Sequence, residues 1–96
     1  MNSLLVFDIA LSLEEDFIDC LLEFSPIESF SSFEIRRHGN HESLSTIEKV
    51  TGRSRAIRFE VVVDKEQIAQ LVSRLNQAVA PNLRYRILPV LGSGST

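Results

Sequence analysis

At 96 residues the chain is one domain's worth, and its 44% hydrophobic content suits a folded protein rather than a disordered one. A net charge of −3 and a pI near 5.3 argue against general nucleic-acid binding. A single cysteine, Cys20, excludes an intramolecular disulfide.

A domain this small buries somewhat over ~60% of its unfolded surface, so its stability is about 5–10 kcal/mol and subunit association would add to it. Charge is unevenly spread. Asp8, Glu14, Glu15, Asp16, Asp19, Glu23, Glu28 and Glu34 all precede the first cation, Arg36. An acidic first part beside a basic centre points to complementary faces within or between subunits.

Ser3 to Ile9, SLLVFDI, is a near-continuous apolar run broken by Asp8, which suits a central strand covered on both faces. The start MNSLLVFDIA lacks a basic leader and a sustained apolar core, so no signal peptide or membrane span is expected and a cytoplasmic location follows. Ser12 and Glu15 have capping-box spacing and predict a helix start, the N-cap alone stabilising by roughly 1 kcal/mol. Leu13, Phe17, Ile18, Cys20, Leu21 and Phe24 share one face of that helix, with Glu14, Glu15, Asp19 and Glu23 mainly opposite, until Pro26 ends it. Cys20 is read as a small core residue, since nothing in the helix would lower its pKa.

A second strand is predicted from about Phe30 to Arg37. Phe33, Ile35 and Arg37 share a parity that Phe30 breaks, and the polar side suggests a sheet edge. Then comes a long loop, about residues 38 to 54, rich in special residues. Gly39 and Asn40 favour a tight turn. Leu44, Ile47 and Val50 recur every third residue, which suits a short helix, with Ser43 or Ser45 as N-cap, Glu48 at capping-box spacing from Ser45, and Gly52 as its stop.

The third strand, Arg55 to Val63, has the clearest alternation in the chain, Ile57, Phe59, Val61 and Val63 against Arg58, Glu60 and Val62. Asp64 is the expected cap of a second helix, with Gln67 at the capping-box position. Ile68, Leu71, Val72, Leu75 and Val79 make its apolar stripe, and Pro81 and Asn82 close it. Leu83, Tyr85 and Ile87 alternate with Arg84 and Arg86 in a last strand, and Gly92 to Thr96 is expected to be a mobile tail beyond a single domain of residues 1–91.

Two right-handed crossovers and one hairpin make this an α+β, ferredoxin-like βαββαβ sandwich: a four-stranded antiparallel sheet with both helices on one face. Leu5, Phe7, Ile9, Ile57, Phe59, Val61, Leu83, Tyr85 and Ile87 are expected to face the helices. Leu4, Val6, Asp8, Arg58, Glu60, Val62, Arg84 and Arg86 are expected to face away. The aliphatics among them favour an oligomer interface with cross-strand ion pairs over a solvated face.

Three functional readings of the loop stand open. Arg36 and Arg37 at one foot, with Arg53 and Arg55 at the other, suit bidentate binding of phosphate or carboxylate. His38, His41 and Glu42 suit a borderline metal such as zinc, copper or nickel, although two imidazoles are an incomplete set. Leu44, Ile47 and Val50 suit a protein-docking surface. The bland alternative is that these apolar residues pin the loop to its own domain while the charges face water. With no Gly-x-Ser-x-Gly elbow, no Gly-rich phosphate loop and no Cys–His pair at a recognisable spacing, the chain is read as a non-enzyme.

The element order, the long loop and the RFEVVV strand resemble PII-like signalling proteins and the related CutA-like trimers. HESLSTIEKVTGRSRAIRFEVVV and the closing LRYRILPVL are more specifically similar to an uncharacterised PII-like family of proteobacteria, a domain of unknown function. Its distinctive part here is His41, Ser43, Leu44, Glu48, Val50, Gly52 and Arg53 with Pro89, Val90 and Leu91. The resemblance implies a homotrimer packed sheet to sheet, with loops near the clefts between subunits. It implies a sensor or adaptor binding a small ligand or metal through Arg36, Arg37, His38, His41, Arg53 and Arg55. A membrane transporter or another protein would be its partner, in a setting linked to heavy-metal efflux. A CutA-like metal-binding role for His38 and His41 is the alternative. The cofactor stays unknown.

Overall fold

The computed structural model describes residues 1–38 and 53–96, the side chains of Arg53 and Ser54 excepted. Among the described residues, four strands and two helices follow in the expected order. They are β1 (Asn2–Ile9), α1 (Glu14–Glu23), β2 (Ile27–His38), β3 (Arg53–Asp64), α2 (Ile68–Ala78) and β4 (Tyr85–Pro89). The sheet order is β2-β3-β1-β4, and all three pairings are antiparallel. This is the ferredoxin-like arrangement.

In β1 the burial alternates residue by residue, with Leu5, Phe7 and Ile9 buried and Leu4, Val6 and Asp8 half-buried. The apolar run therefore resolves into two faces. Only one of them packs on helices. Phe59, Val61 and Val63 of β3 join that core beneath Phe17 and Leu21 of α1 and Leu71 and Leu75 of α2. Phe17 binds the layers together, its ring 4.4 Å from that of Phe59 and 5.1 Å, edge-on, from that of Phe7.

Both helices start differently from their capping patterns. A 3₁₀ turn, Leu11–Leu13, precedes α1, and the Leu13 N–H donates to the Ala10 carbonyl at 3.0 Å. No side chain caps α1, so Ser12 does not act as its N-cap. The tight backbone turn satisfies a donor that a cap would otherwise serve, and Glu14, Glu15 and Asp16 in the first turn complement the helix dipole. Asp64 does cap, accepting from the Glu66 N–H at 2.9 Å. The bond falls one residue short of Gln67 because Lys65–Gln67 also forms a 3₁₀ turn before α2.

β2 is an edge strand, three residues longer at its start than its pattern predicts. From Ser29 onward the register is continuous, so Phe30 breaks the parity of Phe33, Ile35 and Arg37 by lying on the other face, and a shift between Ile27 and Ser29 places Ile27 on the same side as Phe30. Phe30 pairs with Val61 on the helix side, while Phe33 pairs with Arg58 and Ile35 with Ala56 on the open side.

β4 begins two residues later than expected. Asn82 takes a left-handed conformation (φ 61°), which an asparagine tolerates, and the chain joins β1 only where Tyr85 meets Phe7. Leu83 packs on the core from outside the strand. Tyr85 and Ile87 lie on the helix side as expected but remain 40% and 52% exposed, because β4 is an edge that the helices do not fully cover.

Candidate functional site

The open face of the sheet gathers charge around Asp8. Cross-strand register sets Asp8 opposite Arg58, and the two form a two-pronged pair, Arg58 Nε donating to Oδ1 at 2.7 Å and Nη2 to Oδ2 at 2.9 Å. The Asp8 side chain is only 15% exposed and that of Arg58 33%. The hydrogen bonds from Arg58 hold the Asp8 carboxyl below its ordinary range against the opposing effect of burial, and the charges of Arg58, Arg37 and Arg86 add to it. The same bonds raise the Arg58 guanidinium.

Asp8 is thus committed to Arg58, and Arg37 and Arg86 stand close enough to be felt by it. With Arg84 they line a cleft of about 620 Å³, whose walls include Asp8, Leu13, Pro81 and Asn82. The opening has a topological cause. Asp8 and Ile9 pair with β3 on one side, but β4 starts only opposite Phe7, so the end of β1 outruns its other neighbour. The turn at Pro81 and Asn82 then forms the far wall. The volume lies within the ~300–1,000 Å³ range of small-molecule sites, and arginines are the side chains suited to planar oxyanions.

Strand alternation divides the residues at the loop's feet. Arg37 faces the cleft side. Arg36 and His38 face the helix side of the hairpin and are exposed, and Arg55, opposite Arg36, pairs with Glu34 at 2.6 Å. The backbone of Arg53 pairs with that of His38. His41 and Glu42 lie outside the described residues, as do Gly39, Asn40, Ser43, Leu44, Ser45, Ile47, Glu48, Val50 and Gly52. Among the described residues no three His, Cys, Asp or Glu side chains come together as a metal site. Cys20 is buried, and desolvation pushes its thiol up, away from the reactive thiolate.

The sequence reading placed Arg84 and Arg86 on the open face without making them site residues. The signal for them was the alternation RYRIL, and for Asp8 its isolation in an apolar strand. What periodicity does not carry is that the two meet Arg37 from the opposite edge of the sheet.

A family model described as a protein of unknown function (DUF3240) matches residues 2–96. No curated protein matches the sequence. Among solved structures, a DUF3240 family protein from Shewanella baltica OS155 superposes with a TM-score of 0.80 at 24% identity, covering 99% of this chain and 96% of that one. The periplasmic divalent cation tolerance protein CutA from Archaeoglobus fulgidus gives 0.74 at 14% identity, covering 97% of this chain and 87% of its own. A Bacillus cereus protein related to NIF3 gives 0.72 at 13% identity, with 98% of this chain matching 26% of that one. At these identities the structural likenesses show the fold alone.

Proposed function

The chain belongs to the DUF3240 family, and on that footing we propose that it is a PII-like trimeric sensor or adaptor that binds a small oxyanion in the Arg37, Arg84 and Arg86 cleft and thereby regulates a protein partner. The observation that carries the reading is the cleft itself: three arginines line one open volume while the carboxylate within reach, Asp8, is already engaged by Arg58. Arg37 stands one residue before His38, the last residue of β2, so a ligand held by it acts directly on the foot of the 39–52 segment. The trimer is supported by the uncovered sheet face. A cleft at its margin would be completed by a neighbouring subunit.

Native mass spectrometry with small carboxylates, inorganic phosphate, adenine nucleotides and divalent zinc or copper tests this reading. A trimer that gains anions is expected. Replacing two of the three cleft arginines, Arg84→Gln with Arg86→Gln, should lower anion affinity at least tenfold while the far-ultraviolet circular dichroism stays unchanged. Undiminished binding in that variant would remove the cleft from the mechanism. Uptake of metal alone, lost in His38→Ala or His41→Ala, would shift the function to the metal-binding reading, which the likeness to a divalent cation tolerance protein supports. Such binding should weaken below about pH 6 as imidazole protonates.

A further inference from the structure

The positive charge of the cleft is divided between two edges of the sheet. The strand order is β2-β3-β1-β4, so Arg37 on β2 and Arg86 on β4 belong to opposite edges. Those edges lie three strand spacings apart, about 14 Å at the backbone. Arg84 stands with Arg86 at the β4 edge, just before the strand begins.

The two central strands carry the Asp8–Arg58 pair. Its charges cancel, so the middle of the face offers an anion little net attraction. The Asp8 carboxylate lines the cleft and feels both Arg37 and Arg86. An oxyanion over the middle would meet that carboxylate, whereas one at either edge meets an arginine.

The cleft that joins the two edges is also too large for one small oxyanion. An apolar void of about 150 Å³ takes a benzene, and this cleft, at about 620 Å³, is some four times larger. Half-buried Val6, Leu13 and Leu83 line it together with the arginines. Val6 is on β1, between the two arginine-bearing edges and on the same face as Asp8.

We propose that the cleft takes a two-headed anion, a chain with an apolar middle and an oxyanion at each end, one end on Arg37 and the other on Arg84 and Arg86. This rests on the cleft reading above and narrows its ligand class. Carboxylate and phosphate heads share the chemistry, and the test separates them.

The full-length protein is titrated with α,ω-alkanedicarboxylates from succinate to sebacate, with monocarboxylates from acetate to decanoate, and with alkanediol bisphosphates of matched length, followed by amide chemical shifts. Affinity in at least one two-headed series is expected to pass through a maximum with spacer length. At that maximum it should exceed the one-headed anion of the same length tenfold or more, and the series that does so identifies the head group. Arg37→Gln, at an exposed position, should bring the best two-headed ligand down to the affinity of its one-headed counterpart. If two-headed and one-headed anions bind alike, if the advantage is the same at every length, or if it survives Arg37→Gln, the proposal is overturned while the cleft reading stands. If no anion binds, or if Arg84→Gln with Arg86→Gln leaves binding unchanged, both readings fall together.

Discussion

Asp8 and Arg58 are fifty residues apart in sequence, and their pairing depends on β1 and β3 being in register. Because the folded carboxyl titrates below its unfolded value of about 3.9, the stability it contributes is fully present above that value. It is lost as pH falls through the depressed folded value. Asp8→Asn should therefore cost about 1–2 kcal/mol at pH 7, a figure kept small because Arg58 remains partly exposed. In urea titrations the gap between variant and wild type should close as pH is lowered below about 4. A gap that persists undiminished at pH 2 would mean that packing, not charge, explains the loss. The Glu34–Arg55 pair on the other face is more exposed, and by the same physics contributes little.

At the scale of elements, α2 is held by its stripe more than by its ends. Its side-chain cap serves only the preceding 3₁₀ turn, while Leu71 and Leu75 are 0% and 1% exposed. Leu71→Ala should cost about 2–5 kcal/mol, a large part of the stability of so small a domain, read as a lowered denaturation midpoint at unchanged slope. A loss below about 0.5 kcal/mol would contradict the burial assigned to that position. The helices and β3 were legible because their periods of 3.6 and 2 run uninterrupted. The end of β2 nearest α1 was not, since a shift between Ile27 and Ser29 inserts one residue and reverses the faces on either side of it. The start of β4 was misplaced for a related reason. Leu83 and Arg84 keep the alternation of a strand, but the turn at Asn82 holds them off β1.

For the whole molecule the decisive fact is that both helices pack on one side. The opposite face keeps Leu4, Val6 and Val62 half-buried and leaves Phe33 45% and Leu88 42% exposed. Apolar side chains interleaved with a satisfied ion pair are what a subunit interface needs. Native mass spectrometry should find a trimer, and Leu88→Glu should shift it toward monomer without unfolding the chain. A wild-type monomer at micromolar concentration would overturn the shared-cleft part of the proposed function and leave the single-chain cleft to be tested alone. Among the described residues no helix is long and apolar enough to cross a membrane.

The sequence by itself determined the element order, the antiparallel sheet, the face taken by the core residues of β1, β3 and the helices, and the basic character of the segment around residues 36–55. These follow from local periodicity and composition, which every residue carries with it. Tertiary structure alone decided which charges meet. It sent Arg37 to one face and Arg36 and His38 to the other. It brought Arg84, just before β4, and Arg86 within it to the same cleft as Arg37, and opened that cleft where β1 outruns β4. Those outcomes depend on strand register and on where a pairing begins. A one-residue change in either moves a side chain to the opposite face of the sheet.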